Sequence, residues 1–289
     1  MSLQIFSTVL SSGVDIPRNA EAELTIAGAV KRPFKRSFAL HSAYKLVRNF
    51  GQIPKASLTQ IDALLAIARV LPNTMLTMPR LFDLFDAVKR INREGLKGNL
   101  VECGAWNGGA VGLMALANRH FPGPKRKFHL FDSFEGVPQP TEKDGYVYSE
   151  FISTTKGRAA VANSNGCPSA IGACVGNSQQ TVERFLIGRL GMRRDEVEFH
   201  VGWFQDTVPA AKRTIGDIAL LRLDGDWYES TWVCISNLFD NVVSGGFVIV
   251  DDYGPWEGCR KAIDEFLAAR RIVPNLTHSD DACVYFRKA

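Results

Sequence analysis

Short apolar runs alternate with amphipathic, helix-length segments from about residue 99 onward, and this alternation most constrains the fold. The runs are NLVEC, FHLFD, VEFHV, IALLRLD, GFVIVD and CVYFR, which begin at residues 99, 128, 197, 218, 246 and 283. Strands separated by helices indicate crossover connections, which build a mostly parallel sheet covered by helices on both faces. Upstream, the periodicity predicts one helix capped by Ser57 and another capped by Thr77.

Composition divides the chain into parts. Residues 1–55 are irregular, with Gly and Pro breakers, and we expect an N-terminal extension, helical or irregular, that acts as a lid or as a subunit contact in a homo-oligomer. Residues 56–289 form the α/β domain. Within it, residues 136–177 are rich in Gly, Ser, Thr and Asn and too long for an ordinary connection. Because this stretch begins after a predicted strand, where ligands of such sheets bind, we interpret it as a lid.

Charge and composition argue against several classes of protein. The chain has 289 residues and a net charge of +4, which is too mild for a nucleic-acid-binding face, and its one basic cluster spans residues 31–36. No apolar run approaches the ~20 residues of a membrane helix, and the first residues make a poor signal peptide, so we expect a cytoplasmic protein. The six cysteines form no CxxC pair and are interpreted as reduced, buried thiols.

The residues after the first two predicted strands suit a cofactor with an amine and a ribose. Glu102 precedes a turn that contains Gly104, Gly108 and Gly109, and glycines let a backbone approach a ligand closely. The turn is not GxGxxG, and an acid ahead of the glycines favours a ligand with an ammonium group. Asp132 ends the second strand, where an acid commonly binds ribose hydroxyls; capping of the next turn is the alternative for this residue.

Carboxylates also follow the fourth and fifth predicted strands. Asp224 ends one strand, and Asp251 and Asp252 end the other. Because neighbouring parallel strands end at the same rim of a sheet, we expect these side chains to converge, and a divalent cation would relieve their repulsion. An all-oxygen ligand set favours Mg²⁺, with Mn²⁺ or Ca²⁺ as alternatives. Separate capping of turns by these acids needs no metal.

Histidines and aromatic residues carry weaker signals. His129 and His200 lie inside predicted strands and are interpreted as packed side chains rather than catalytic ones. His278 lies in a polar loop and is a further candidate for a general base. Trp106 and Trp203 follow strand ends or glycines, where they either wall a pocket or belong to the core.

Residues 200–266 resemble the macrocin O-methyltransferase family, which methylates sugars of macrolide and aminocoumarin antibiotics. The shared motifs are GWFxDTxP, LRLDGDxYEST, GGFVIVDDYG and CRxAIDEF, and LVECGAWNGGA and FDSFEGVPQP resemble further motifs upstream. The resemblance covers roughly residues 70–287. It implies a class I, S-adenosylmethionine-dependent methyltransferase with a Rossmann-like α/β fold, a mostly parallel seven-stranded sheet and a bound Mg²⁺.

The resemblance also implies roles for the matching residues. The implied cofactor-binding residues are Thr74, Met75, Glu102, Gly104, Trp106, Gly108, Gly109, Asp132, Ser133, Gly202, Trp203 and Asp224. By the same resemblance, the turn after Glu102 would hold the methionine end, Asp132 and Ser133 the ribose, and Gly202 and Trp203 would lie near the adenine. Asp224, Asp251 and Asp252 match the metal-binding acids, and Asp224 also matches the general base.

We therefore expect methyl transfer from S-adenosylmethionine to a hydroxyl group of a sugar or glycosylated secondary metabolite, by in-line displacement. Mg²⁺ would lower the pKa of the acceptor hydroxyl, and Asp224 would take its proton. An O-methyltransferase of a phenol or catechol is the alternative, although Trp227 stands where a catechol enzyme would supply a lysine. A glycosyltransferase with Asp224-Gly225-Asp226 as its DxD motif and a non-catalytic binding relative are more distant alternatives.

Overall fold

A seven-stranded sheet forms the centre of the computed structural model, which describes residues 38–147, Ser149 and residues 178–289. The strands are β1 (Asn99–Cys103), β2 (Phe128–Asp132), β3 (Val197–Val201), β4 (Ile218–Leu223), β5 (Val242–Val250), β6 (Thr277–His278) and β7 (Val284–Arg287). Their order is β3-β2-β1-β4-β5-β7-β6. β1 to β5 run parallel, and β7 is antiparallel to both of its neighbours. The predicted mostly parallel, seven-stranded sheet is confirmed.

Helices cover both faces of this sheet. They are α1 (Phe38–Arg48), α2 (Ile61–Val70), α3 (Met78–Arg93), α4 (Gly109–His120), α5 (Gln179–Glu183), α6 (Phe204–Ala211), α7 (Tyr228–Leu238) and α8 (Glu257–Ala269). One buried cluster joins the sheet to α2, α3, α4 and α5, and a second joins it to α6, α7 and α8. Each predicted crossover therefore buries one face of the sheet.

The period of the strands explains why they read as continuous apolar runs. Leu100 and Leu220 contribute to the first cluster, whereas their chain neighbours Val101 and Leu221 contribute to the second. Successive side chains of a strand point to opposite faces, and here both faces are buried. The carboxyl ends of five parallel strands consequently meet at one rim.

Some local predictions are corrected. Ser57 does not cap a helix: it lies in a 3-10 turn (Lys55–Ser57), and α2 begins at Ile61. α3 begins directly after Thr77, as predicted, but the Thr77 hydroxyl donates to Asp280 Oδ2 at 2.7 Å instead of capping the helix. His278 lies in the edge strand β6 rather than in a loop, whereas α1 lies inside the N-terminal stretch for which the sequence allows helical or irregular structure.

The cysteines in the part of the chain that the structure describes agree with the prediction from the sequence. Cys103, Cys234, Cys259 and Cys283 are free and buried, as predicted. The two remaining cysteines, the basic cluster at residues 31–36 and most of the predicted lid lie outside the described residues. Between residues 38 and 147 and between 178 and 289, none of the helices is both long and apolar enough to cross a bilayer.

Candidate active site

A cavity of about 290 Å³ opens at the carboxyl rim of the parallel strands. Loops after β1 to β5 form its walls, which is where open parallel sheets bind their ligands. All of the predicted cofactor-binding and metal-binding residues except Gly108 line it: Thr74, Met75, Glu102, Gly104, Trp106, Gly109, Asp132, Ser133, Gly202, Trp203, Asp224, Asp251 and Asp252. The structure therefore brings together residues that are up to 178 positions apart in the chain.

Two glycines of the β1 turn are required by close approaches of the backbone. Gly104 has a φ of +95°, and a Cβ there would overlap the carbonyl oxygen of Asp224. A Cβ on Gly109 would overlap the carbonyl oxygen of Asn73, because the segment before α3 packs on the first residue of α4. These contacts hold Thr74 and the end of β4 against the same turn.

Gly108 has a packing role, and its predicted contact with the cofactor stays a prediction. It precedes α4 with a φ of +76°, and a Cβ there would press against Val182 of α5. Gly108 does not line the cavity. Its conformation and its packing against α5 account for the glycine.

Glu102 presents an unpaired oxygen inside this site. Its side chain is 1% exposed, and Oε1 accepts a bond from Arg222 Nη1 at 2.6 Å. Oε2 is buried without a hydrogen-bond partner among the described residues. Burial raises the pKa of Glu102 to about 8. A buried acceptor with no donor suits an ammonium group, so the residues present fit the methionine end of the predicted cofactor.

Asp132 and Ser133 organise the loops as well as facing the cavity. Asp132 accepts the backbone N–H of Trp106 at Oδ2 (2.8 Å) and that of Phe134 at Oδ1 (2.7 Å), and burial raises its pKa. The Ser133 hydroxyl donates to the carbonyl of Gly136 at 2.9 Å. Capping of the turn by Asp132 is therefore present. Each carboxylate oxygen has two acceptor sites, so capacity for a ribose hydroxyl is left.

The acids after β4 and β5 converge as predicted. Carboxylate oxygens of Asp224, Asp251 and Asp252, here called the acidic triad, all lie within 4.8 Å of one another. Asp251 and Asp252 are buried, and Asp224 is partly exposed to the cavity. Burial raises the pKa of Asp224, and burial together with the neighbouring carboxylates raises that of Asp252 well above its usual range. Carboxylates this close repel one another when ionised, and a nearby cation relieves this repulsion.

Two arginines for which the sequence predicts no role hold this cluster together. Arg222 is 1% exposed; its Nη1 lies 2.9 Å from Asp224 Oδ2, and its Nη2 lies 2.7 Å from Asp251 Oδ1. Arg80 Nη1 lies 2.8 Å from the other oxygen of Asp251, and Arg80 Nε donates to Asp280 at 2.7 Å. The carboxylates raise the pKa of both guanidinium groups.

These arginines are compatible with a metal ion. Each oxygen of Asp251 that contacts a guanidinium keeps a second lone pair, and Asp252 has no ion pair with an arginine among the described residues. Three clustered carboxylates are also the ligand chemistry that Mg²⁺ prefers. The residues present therefore fit a hard divalent cation.

The wall beyond the triad is built from residues near the predicted lid. Val137, Pro138 and Trp256 line it, and Trp227 donates from Nε1 to the carbonyl of Pro138 at 2.8 Å. The indole rings of Trp227 and Trp256 meet edge to face at 5.2 Å. Asp226 lines the same cavity in a left-handed conformation (φ 55°), and its N–H donates to Asp252 Oδ2 at 3.2 Å. His278 does not line the cavity.

The mostly parallel seven-stranded sheet, the glycine turn after β1 and the acids after β2 and β4 are the features that the resemblance implies for a class I, S-adenosylmethionine-dependent methyltransferase. Residues 67–288 match the family model for macrocin O-methyltransferase (TylF). The chain belongs to this family and is an O-methyltransferase.

Characterised relatives agree in sequence and structure. Demethyldecarbamoylnovobiocin O-methyltransferase from Streptomyces niveus is 34% identical over 75% of this chain and 76% of its own length. Mycinamicin III 3''-O-methyltransferase from Micromonospora griseorubida is 31% identical over 75% of this chain and 79% of its own. The solved structure of the O-methyltransferase NovP, 34% identical, covers 75% of this chain and 82% of that one with a TM-score of 0.62. The calicheamicin methyltransferase CalS11 shares the fold at 18% identity and a TM-score of 0.52, over 83% of this chain and 96% of its own.

Proposed function

We propose that the chain methylates a hydroxyl group of a sugar or of a glycosylated small molecule, with Mg²⁺ held by the acidic triad. The observation that carries this proposal is that the triad and the expected cofactor residues share one cavity. The relatives support the substrate class. One of them, from Streptomyces olivaceus, is the 4'-O-methyltransferase of 8-demethyl-8-(2,3-dimethoxy-alpha-L-rhamnosyl)-tetracenomycin-C. It is 32% identical over 74% of this chain and 75% of its own length.

The cofactor's amine would contact Glu102 Oε2, its ribose Asp132, and its adenine the Gly202–Trp203 segment. These residues would hold the cofactor in the cavity at the carboxyl rim of the sheet. The sulfonium carries its own activation, so the protein's task is to keep the acceptor oxygen in line with the methyl carbon and to exclude water. Val137, Pro138 and Trp256 supply the apolar wall for that purpose.

Mg²⁺ would lower the pKa of the acceptor hydroxyl when bound at Asp224, Asp251 and Asp252, with Mn²⁺ or Ca²⁺ as alternative ions. Asp224 would accept the hydroxyl proton at its carboxylate. A carboxylate that also binds a metal ion is a weak base, and Asp226 offers a second carboxylate in the same cavity that is not part of the triad. Matched Asp224→Asn and Asp226→Asn variants therefore separate the ligand role from the base role.

The test is titration of S-adenosylhomocysteine into the protein by calorimetry, followed by methyl transfer to a panel of glycosides and a catechol. We expect nucleoside binding with or without Mg²⁺, Mg²⁺-dependent transfer to a glycoside, and no binding of a nucleotide sugar. Asp252→Asn should keep nucleoside binding and lose transfer. Transfer only to the catechol would overturn the substrate class, and transfer that chelation leaves unchanged would overturn the metal. A homo-oligomer and a cytoplasmic location stay predictions.

A further inference from the structure

Two histidines and a glutamate lie together at the edge of the sheet, away from the acidic triad. His129 comes from β2, and Glu198 and His200 come from the edge strand β3. His129 pairs with Glu198 across the two strands, and His200 pairs with Phe131. Ligand atoms of these three side chains, here called the histidine cluster, lie within 4.8 Å of one another.

The distances within the cluster are of the size found around one metal ion. His129 Nδ1 lies 3.0 Å from His200 Nε2. Glu198 Oε2 is 3.9 Å from His129 Nδ1, and Glu198 Oε1 is 3.8 Å from His200 Nε2. Ligand bonds of about 2.0–2.2 Å place neighbouring donor atoms about 3–3.5 Å apart, so a small closure of the glutamate completes the set.

The two imidazoles are largely buried, whereas the glutamate is partly exposed and free to adjust. The side chains of His129 and His200 are 3% and 14% exposed, whereas that of Glu198 is 44% exposed. Phe131 stacks on the His200 ring at 4.1 Å with an interplanar angle of 7°. Burial lowers the pKa of His129 to about 4 and also lowers that of His200. Both rings are therefore neutral near pH 7, which is the form that binds metals.

The present arrangement of the rings is that of an N–H···N hydrogen bond. The ring centroids are 5.3 Å apart and the planes are inclined by 21°, so the two nitrogens face each other nearly head-on. For both lone pairs to meet one ion, each ring turns away from this head-on line by about 35°, which a tetrahedral ligand angle requires, and carries its proton on the outer nitrogen. This change moves a proton between nitrogens of a ring and needs no net gain or loss of protons.

We propose that the histidine cluster binds a divalent metal ion such as Zn²⁺ through His129 Nδ1, His200 Nε2 and Glu198. Two imidazoles and one carboxylate suit Zn²⁺, Co²⁺, Ni²⁺ or Cu²⁺, whereas Mg²⁺ prefers oxygen ligands alone. The ion would tie the edge strand β3 to β2 immediately before Gly202 and Trp203 of the cavity wall.

Replacing Lys127 should strengthen metal binding, whereas replacing a ligand of the histidine cluster should weaken it. Lys127 Nζ lies 3.6 Å from Glu198 Oε2, where its charge competes with a metal ion for the carboxylate. Lys127 is more than half exposed, so its replacement should disturb packing little. Lys127→Gln is expected to tighten metal binding at the histidine cluster.

The experiment is calorimetric titration of Zn²⁺ into the full chain with Mg²⁺ present at saturating concentration, so that the acidic triad is occupied. Wild type should bind one equivalent that His200→Gln weakens by at least about tenfold, since even outer-shell changes cost that much. Glu198→Gln tests the same site at an exposed position in case His200→Gln does not fold. His278→Gln, at a histidine in the edge strand β6, should bind as wild type does.

The outcomes are distinguishable from a failure of the proposed methyl transfer, because the readout is metal stoichiometry. Circular dichroism and urea unfolding in chelator show whether each variant is folded. The proposal is overturned by a wild type that binds no Zn²⁺ in the presence of Mg²⁺. It is equally overturned if folded His200→Gln and Glu198→Gln bind Zn²⁺ with unchanged affinity, because the ion then lies elsewhere.

Discussion

Gly104 lies where the turn after β1 meets the carbonyl oxygen of Asp224. Its positive φ and the overlap that a Cβ would create both exclude a side chain. Gly104→Ala should lower the free energy of unfolding by more than the roughly 1–3 kcal/mol of a strained backbone and should weaken binding of S-adenosylhomocysteine. Thermal denaturation and calorimetry measure these effects. Gly51→Ala is the matched control, because a Cβ on Gly51 would meet no atom within 4 Å, and an equal loss in both variants would contradict the assignment.

Arg222 is the only cation that contacts Glu102 among the described residues, and it also contacts two members of the triad. Arg222→Met keeps an unbranched chain but leaves these buried acids without their partner. We expect the free energy of unfolding, measured with urea in metal-free buffer, to fall by about 3–5 kcal/mol. Adding Glu102→Gln should restore part of the loss, since it removes one of the buried acids that Arg222 contacts. A single variant as stable as wild type would show that the acids are neutral in the folded protein.

The acids of the site could be predicted from the sequence, but the arginine could not. Asp224 and Asp251 end apolar runs, and the geometry of parallel strands alone places such ends side by side. Arg222 lies within the run IALLRLD, where its apolar neighbours hide its role. The available signal was register: Arg222 pairs with Glu102 on β1, and a charge inside a buried strand requires a partner of opposite sign.

Among the elements, the start of α3 depends on a residue near the opposite end of the chain. Asp280, in the connection from β6 to β7, accepts from Thr77 and Arg80 at Oδ2, each at 2.7 Å. Its Oδ1 accepts the N–H groups of Ala282 and Cys283. Asp280 thereby positions Arg80, which in turn contacts Asp251.

Asp280→Ala should therefore loosen α3 and weaken Mg²⁺ binding together. Loss of charge-assisted bonds predicts a decrease of about 1–3 kcal/mol in the free energy of unfolding, measured with urea. Mg²⁺ affinity, measured by calorimetry, should fall as well. Asp281→Ala is the neighbouring control, because Asp281 is exposed. Unchanged Mg²⁺ affinity in a destabilised Asp280→Ala would mean that Arg80 is held without Asp280.

Strands were easier to predict than helix starts or the lid. Continuous apolar runs flanked by helix-length segments fix the strands, whereas Ser57 is one of several polar residues that could cap a helix. The structure places the first helical residue at Ile61, after a turn that follows Pro54. The stretch from residue 136 has no periodicity of apolar residues. Its sequence therefore predicts a long, solvent-exposed loop but not the course of its backbone.

At the scale of the whole molecule, buried neutral histidines make folding sensitive to acid. His129, which faces Glu198, His200 and Lys127, has a pKa of about 4 in the folded protein against about 6.5 when unfolded. The unfolded chain therefore binds more protons below about pH 6.5, and the stability contribution is full above that pH and is lost as pH falls toward 4.

Urea unfolding in chelator at about pH 7 and about pH 5 measures this contribution as the difference between wild type and His129→Gln, because the buried acids Glu102, Asp224 and Asp252 have raised pKa values and act with the opposite sign. His129 should lower the free energy of unfolding of wild type by up to about 3 kcal/mol by pH 4. His129→Gln should lack this loss on acidification, and His278→Gln should show it as wild type does. An equal change in stability between the two pH values in wild type and His129→Gln would assign the acid sensitivity to other groups.

Arg222 also links the binding of the cofactor to the binding of the metal ion. One guanidinium contacts Glu102 at the cofactor end and Asp224 and Asp251 at the triad. The occupancy of each site therefore affects the ligand affinity of the other. The effect passes through the positive charge of Arg222 that both sites share, and no segment of the chain has to move. Coupling of this kind is reciprocal: whatever factor Mg²⁺ contributes to nucleoside affinity, the nucleoside returns to Mg²⁺. The apparent affinity measured for one ligand therefore depends on the concentration of the other.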